Sequence, residues 1–203
     1  PTISDIQASA FFGGRIEQNE KEGVYSASPN IKFIGTCIEG NGKFNGSDGS
    51  TPEVTILAGP TSGSVTFTDC YMESLDGKSA AGSIVIAPMA TRFVKVNSGE
   101  YYGGVTNKEN VVLVEIASPS SNEVGVSIIG ASLSDYKNYG RGTIVGNSQF
   151  VAMECFTKEP LVLWFDVLEG ATGSRPLIAQ SDRNYCYSNQ NQRIRQITAS
   201  GPI

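Results

Sequence analysis

Glu39 and Glu73 occupy like positions in two stretches that read as one line written twice, IKFIGTCIEG and VTFTDCYMES. Each runs through an apolar residue, an aromatic, a break at Gly35 or Asp69, a small residue and an apolar one, and then reaches the acid. Two carboxyl groups about 5–5.5 Å apart suit retaining glycoside hydrolysis, and about 6.5–9.5 Å suits inversion. Close like charges push the two pKa values apart, leaving one group as acid and the other as nucleophile or base. Glu39 and Glu73 are therefore the candidate catalytic pair, with Asp69 a further carboxylate at the break of the same repeat. The contrary reading is plain: outward acids on a β surface keep it soluble and discourage edge association.

The pattern recurs along the chain. Aligned on the break, the copies centre on Ala8, Gly35, Asp69, Ser98, Gly130 and Asn147. Two residues earlier stand Ile6, Phe33, Phe67, Val96, Ile128 and Val145. One residue later come Ser9, Thr36, Cys70, Gly99, Ala131 and Ser148, all small; three later come Phe11, Ile38, Met72, Tyr101, Leu133 and Phe150, all large. Strand side chains alternate faces with period two, so an inward set at these positions changes parity once, at the break. One straight strand cannot do that; a strand, a corner and a second short strand can. Gly, Asn, Asp or Ser at the corner suits an unusual backbone angle. Between copies lie short Val- and Ile-rich runs such as EVTILAG, GSIVIAP and NVVLVEIA, and no stretch has a helical period.

A repeating strand, corner, strand, loop and further strand makes one coil of a parallel β-helix, with coils about 4.8 Å apart. The expected fold is all-β: a right-handed parallel β-helix of about five coils over residues 1–150. A small C-terminal β cap, or oligomerisation region, is expected over 151–203. The alternative is a β-sandwich or jelly roll with antiparallel strands. In the stacked register, Cys37, Tyr71, Glu100 and Ser132 fall two residues after the break. Glu39, Glu73, Tyr102 and Ser134 fall four after it. Ala10 and Phe12 are placed in the same two outward columns at the first copy, and Gln149 and Val151 at the last. Tyr71, Glu100 and Tyr102 are thus candidate substrate-binding neighbours of the glutamates, offering ring faces and hydroxyls to sugars. Tyr136, Tyr139 and Arg141, in the run DYKNYGRG, are read as a loop suited to polysaccharide or partner contact. Trp164, in LVLWFDVLEG, reads as core or subunit interface.

Phrases such as NIKFIGTCIEGNG and GSVTFTDCYMES resemble rungs of bacteriophage tailspikes and related parallel β-helix proteins, over roughly residues 3–150. Pectate-lyase-like enzymes share that architecture. The resemblance implies a homotrimer of side-by-side β-helices on a virion tail appendage, exposed to the extracellular medium and binding host surface polysaccharide. It also implies that cleavage of the glycan by paired carboxylates, as an endoglycosidase or polysaccharide lyase, is open, as is a purely structural trimerisation role. Full tailspikes are longer, so this chain would be a C-terminal portion.

Composition narrows the chemistry. The 203 residues contain no histidine, which removes Ser-His-Asp and Cys-His catalysis and His-ligated metals. Net charge is −5, with 15 scattered cations, so nucleic acid is not an expected partner. No apolar run approaches the ~18 residues of a membrane span, and no membrane insertion is expected. The opening PTISDIQ has neither Met nor an apolar signal core and reads as the start of a fragment or processed chain. Cys37, Cys70, Cys155 and Cys186 lack CxxC spacing and are expected mainly as buried free thiols, with one disulfide left open. The Gly-rich runs at 40–53 and 103–110 lack the strand-to-helix setting of a phosphate loop, and Asp48 has no EF-hand around it. No cofactor and no metal are expected.

Overall fold

The structure, a computed structural model, describes residues 9–19, 21–27, 30–41, 52–57, 63–74, 82–88, 92–103, 112–117, 123–136, 138–157, 162–168 and 177–184. Among them every regular element is a strand and every pairing is parallel. The strands recur in tiers of three. The first tier holds β1 (Ser9–Phe12), β2 (Arg15–Glu17) and β3 (Val24–Ser26), and the second β4 (Asn30–Ile34), β5 (Cys37–Glu39) and β6 (Val54–Ile56). The third holds β7 (Gly63–Thr68), β8 (Tyr71–Glu73) and β9 (Ile84–Ile86). The fourth holds β10 (Arg92–Asn97), β11 (Glu100–Tyr102) and β12 (Val112–Ile116), and the fifth β13 (Gly125–Ile129), β14 (Ser132–Ser134) and β15 (Asn138–Val145). Then come β16 (Gln149–Thr157), β17 (Val162–Leu168) and β18 (Leu177–Asn184).

Each tier gives one strand to each of three ladders. The first runs β1-β4-β7-β10-β13-β16-β18, the second β2-β5-β8-β11-β14-β16, and the third β3-β6-β9-β12-β15-β17. β16 spans the corner and pairs with both β13 and β14. This is parallel β structure, compatible with a β-helix, and the antiparallel sandwich is not what the chain forms. The same ladders run past residue 150, since β16, β17 and β18 all pair in parallel with strands of the preceding tier.

The corner is built as the sequence pattern requires. Gly35, Asp69, Ser98 and Gly130 have φ of 60°, 51°, 55° and 65°. This left-handed region turns the chain without using up a residue of either strand. Their amides donate to the residue before the next tier's corner: Gly35 to Thr68 O at 2.9 Å, Asp69 to Asn97 O at 3.0 Å, Ser98 to Ile129 O at 2.8 Å. The two outermost copies are corrected. Gly13 (φ 62°), not Ala8, donates to Ile34 O at 2.8 Å and stacks on Gly35. At the other end Glu154 (φ 55°), not Asn147, follows Met153, the partner of Ile129. Asn147 lies in the turn between β15 and β16. Glu154 was hidden because an acid in this conformation lacks the small-residue cue. Ala8 lies outside the described residues.

Inside the corner the residue after the break must be small, because backbones pass close there. Gly99 shows how close: a Cβ at that position would stand 2.3 Å from Cys70 O. The corrected series is Gly14, Thr36, Cys70, Gly99, Ala131 and Cys155. The thiols of Cys70 and Cys155 each donate back to a backbone carbonyl of the preceding tier, Phe33 O at 3.4 Å and Ile128 O at 3.6 Å. Cys70 and Cys155 are buried thiols and Cys37 a half-buried one, none of them in a disulfide, and Cys186 lies outside the described residues.

The core is a set of columns of like residues. Phe11, Phe33 and Phe67 stack face to face, with centroids 5.1 and 5.3 Å apart and planes within 11° and 8°. Ile38, Met72, Tyr101 and Leu133 form a second buried column, and Val54, Ile84 and Val114 a third. Trp164 falls in β17, whose side chains lie outside the described set. Phe33 has a ring above and below it, so Phe33→Ala leaves a void that backbone spacing cannot close. It is expected to cost about 3–5 kcal/mol, read as a lower denaturation midpoint with an unchanged slope. Gly99→Ala should also destabilise, through clash and strained φ together.

Candidate functional site

The second ladder presents two outward columns at the predicted register. Cys37 pairs with Tyr71 and Glu39 with Glu73 across β5 and β8. Tyr71 pairs with Glu100 and Glu73 with Tyr102 across β8 and β11. Ser132 and Ser134 continue the columns on β14. At the first tier they hold Arg15 and Glu17, not Ala10 and Phe12. Ala10 and Phe12 lie on β1, in the first ladder, because the true corner is five residues later than the sequence alignment placed it. The final copy shifts likewise: Gln149 and Val151 belong to the first ladder, and Phe156 pairs with Ser132.

The two candidate glutamates are brought together as neighbours, but each carboxylate is already engaged by a different group. Arg15 Nη2 donates to Glu39 Oε1 at 2.7 Å, and Arg15 Nε lies 3.3 Å from Glu17 Oε2. Tyr71 Oη donates to Glu73 Oε2 at 2.5 Å. Tyr102 Oη donates to Glu100 Oε2 at 3.3 Å. The Tyr71 and Tyr102 rings stand 5.4 Å apart at 40°. Hydrogen bonding to the Glu73 carboxylate, aided by burial, pushes the Tyr71 hydroxyl above its usual range, so it stays a neutral donor. Tyr102 is pushed up too, by burial first and then Glu100. Burial likewise raises the Cys37 thiol, which keeps it a poor nucleophile.

The other candidates stand elsewhere. Asp69 is exposed at the corner, where its φ rather than its carboxylate is what the fold uses. Tyr136 and Tyr139 are buried, at 3% and 0% exposure, and 138–145 is strand β15 rather than a loop. That corrects the surface role read from DYKNYGRG. Tyr136 Oη lies 2.8 Å from Ser83 Oγ and donates to Tyr102 O at 3.3 Å, and Ser83 Oγ lies 2.6 Å from Ser74 Oγ. The polar–aromatic mixture of that run serves an internal hydrogen-bonded chain, not a solvated loop. Arg141 is on the third ladder, where its Nη2 donates to Glu115 Oε2 at 2.7 Å and Gly82 N donates to the same oxygen at 2.8 Å.

Glu53 was missed by sequence reasoning. It immediately precedes β6 and is 3% exposed. Its Oε2 accepts from Asn41 Nδ2 at 2.5 Å and Asn41 N at 3.2 Å. Asn41 Oδ1 accepts from Asn19 Nδ2 at 2.6 Å, and Asn41 Nδ2 also donates to Ile16 O at 3.1 Å. No local spacing signals this network, because its members come from two tiers and from both sides of the segment 42–51. A cavity of about 320 Å³ also opens at the first tier, lined by Phe11, Ile16, Val24 and Phe33 with Arg15 and Glu17. Among the described residues no group of three His, Cys, Asp or Glu side chains is placed to hold a metal ion.

Compared with known proteins, the chain matches no family model, no curated protein and no solved structure.

Desolvation pushes the Glu53 carboxyl up to about 7, only partly offset by the Asn41 hydrogen bonds. A carboxyl with a raised folded-state pKa binds its proton more tightly folded than unfolded. Stability from it is full below the ordinary carboxyl range and falls as pH rises from there through about 7. The melting temperature should therefore drop between pH 5 and pH 8, and Glu53→Gln should flatten that drop. An equally steep profile in Glu53→Gln would assign the pH dependence to other groups.

Proposed function

We propose that this chain is a right-handed parallel β-helix of about five coils, closed by a C-terminal cap, that attaches a virion appendage to polysaccharide on a host cell surface. The observation that carries this reading is the outward pair Tyr71 and Tyr102, 5.4 Å apart, with Glu73 and Glu100 held beside them by their own hydroxyls. Two tilted ring faces on adjacent rigid strands suit the apolar faces of successive sugar units, and fixed carboxylates suit their hydroxyls. Strand-mounted side chains need little ordering on binding, which favours a shallow site on a stiff rod. The reading includes a homotrimer and an extracellular setting, and uses no nucleic acid and no cofactor.

Attachment is preferred to cleavage because Glu39 and Glu73 are engaged by Arg15 and Tyr71, not poised as a free acid and base. The test is titration against a panel of bacterial surface oligosaccharides. Tyr71→Ala with Tyr102→Ala should weaken binding by at least about tenfold, at roughly 1 kcal/mol per lost ring contact. Glu39→Gln should change it little. Release of reducing ends by the wild type, lost in Glu73→Gln, would make the chain an endoglycosidase instead. Binding by the double tyrosine variant equal to wild type would remove this face as the site.

A further inference from the structure

The outward side of the first ladder changes character along the stack. In tiers two to four its middle column is Lys32, Thr66 and Lys95, in register across β4, β7 and β10. Both lysines are exposed, and among the described residues neither has an ion-pair partner. Strand pairing sets them two tiers apart, about 9.6 Å. Phe93 points out beside Lys95, two residues back on the same strand, and is 51% exposed. Its ring covers Gly125 on the neighbouring strand, where a Cβ would collide with it. The glycine thus lets the ring lie against the sheet with its other face open to solvent. Ile129, Met153 and Leu177, exposed apolar residues of this ladder, lie in later tiers.

The acids of this ladder stand apart from the lysine column. Asp69 is at the corner after β7. Glu154 and Asp182 belong to β16 and β18, two and three tiers beyond Lys95. Glu123, ahead of β13, accepts from Asn147 N and Nδ2, each at 2.9 Å. Across the corner the second ladder is the reverse. It carries Glu17, Glu39, Glu73 and Glu100, with Arg15 the one cation among β2, β5, β8, β11 and β14. A positive column on one side of the edge and a negative one on the other sort a bound polymer by charge.

We propose that this face is a second glycan subsite and that the polysaccharide it takes is acidic. Lys32 and Lys95 meet the carboxylates of uronic-acid units, and Phe93 meets the apolar face of a neighbouring sugar ring. This rests on the attachment reading above and deepens it by naming the class of glycan. The charge fits a carboxylate better than a phosphate. Phosphate sites draw on unpaired backbone amides, whereas β4, β7 and β10 each pair on both sides. One lysine at each position also matches a single charge. An extended pyranose chain advances by about one tier spacing per unit, so a chain lying along the stack brings every second unit to a lysine. The glycan that fits carries one carboxylate in every two units. Its acidic units are kept off the glutamate-bearing second ladder, which leaves Tyr71 and Tyr102 open to neutral ones.

The experiment titrates the full chain with capsular polysaccharides of alternating uronic-acid and neutral units, hyaluronan and heparosan oligosaccharides among them, each beside its carboxyl-reduced form. The acidic form should bind at least about tenfold tighter than the reduced one. That gap should close as salt rises toward about 1 M. Lys32→Glu/Lys95→Glu should remove the gap. Gly125→Ala, which displaces the Phe93 ring and changes no charge, should weaken binding about threefold or more and keep the gap. Phe93→Ala, at an exposed position, should match it, and thermal melts check that every variant folds. Equal binding of acidic and reduced forms overturns the proposal, as does a gap that survives in the lysine double variant. Preference for a phosphate-bearing glycan over the uronates overturns the carboxylate assignment, and wild-type binding by Phe93→Ala removes the ring from the subsite. A chain that binds no glycan overturns this subsite and the attachment reading together. One that binds through Tyr71 and Tyr102 with no preference for acid overturns the subsite alone.

Discussion

One backbone constraint organises this molecule: a residue in the left-handed conformation at the corner of every tier, stacked on its counterpart in the next. At Gly35, Asp69, Ser98 and Gly130 the chain turns, and the side-chain parity of the second strand is offset from that of the first. The amide of each corner residue bonds to the tier that follows, so one corner fixes the height of its neighbour. Non-glycine residues in this region cost of order 1 kcal/mol or more each. Asp69, Ser98 and Glu154 therefore persist only because the ladders on both sides dictate their geometry. Small residues after the corner and phenylalanine rings before it follow from the same demand, one set fitting inside the turn and the other filling the stack.

This logic is why much of the fold was legible in the sequence. Four interior copies of the break pattern agree with the observed register, because parity, a small residue and a tolerant corner residue all coincide there. The columns containing Cys37, Tyr71 and Glu100, and Glu39, Glu73 and Tyr102, follow directly from that alignment. The end copies were misplaced. At the first, Phe11, Gly13, Gly14 and Ile16 meet the same pattern as Phe33, Gly35, Thr36 and Ile38, and the alignment on Ala8 passed over them. At the last, Glu154 breaks the compositional rule while the backbone obeys it. Each error moved whole strands from one face to another, since face assignment hangs on the corner position.

The site was legible in position more than in character. Register brings Glu39 beside Glu73, but sequence spacing carries no sign of Arg15, which reaches Glu39 from the tier before, or of the Tyr71 hydroxyl that holds Glu73. Tyr136 and Tyr139 looked like loop residues among Lys, Asn and Arg, yet their rings are interior. Tyr136 is accommodated because Ser74, Ser83 and the Tyr102 carbonyl supply a polar path for its hydroxyl. Glu53 shows the same limit, since its partner Asn41 is held in turn by Asn19 of the tier before, and that chain forms only after two tiers have stacked. In such a fold, residues that touch are those with equal phase in the repeat. Phase is readable, whereas long side chains crossing between phases are not.

The most direct test of in-register stacking is an engineered disulfide between adjacent tiers, made in a Cys186→Ser background. Strand spacing of about 4.8 Å lies within the Cα separations a disulfide accepts. Tyr71→Cys should therefore form a disulfide with the native Cys37 under an added oxidant at alkaline pH, which offsets the raised thiol, identified by peptide mapping with the melting temperature preserved or raised. Met72→Cys, one residue on, points into the core and should not link to Cys37. A Tyr71→Cys variant that folds but keeps both thiols reduced, or a link that forms from Met72→Cys instead, would contradict the parallel register on which the columns and the candidate site both depend.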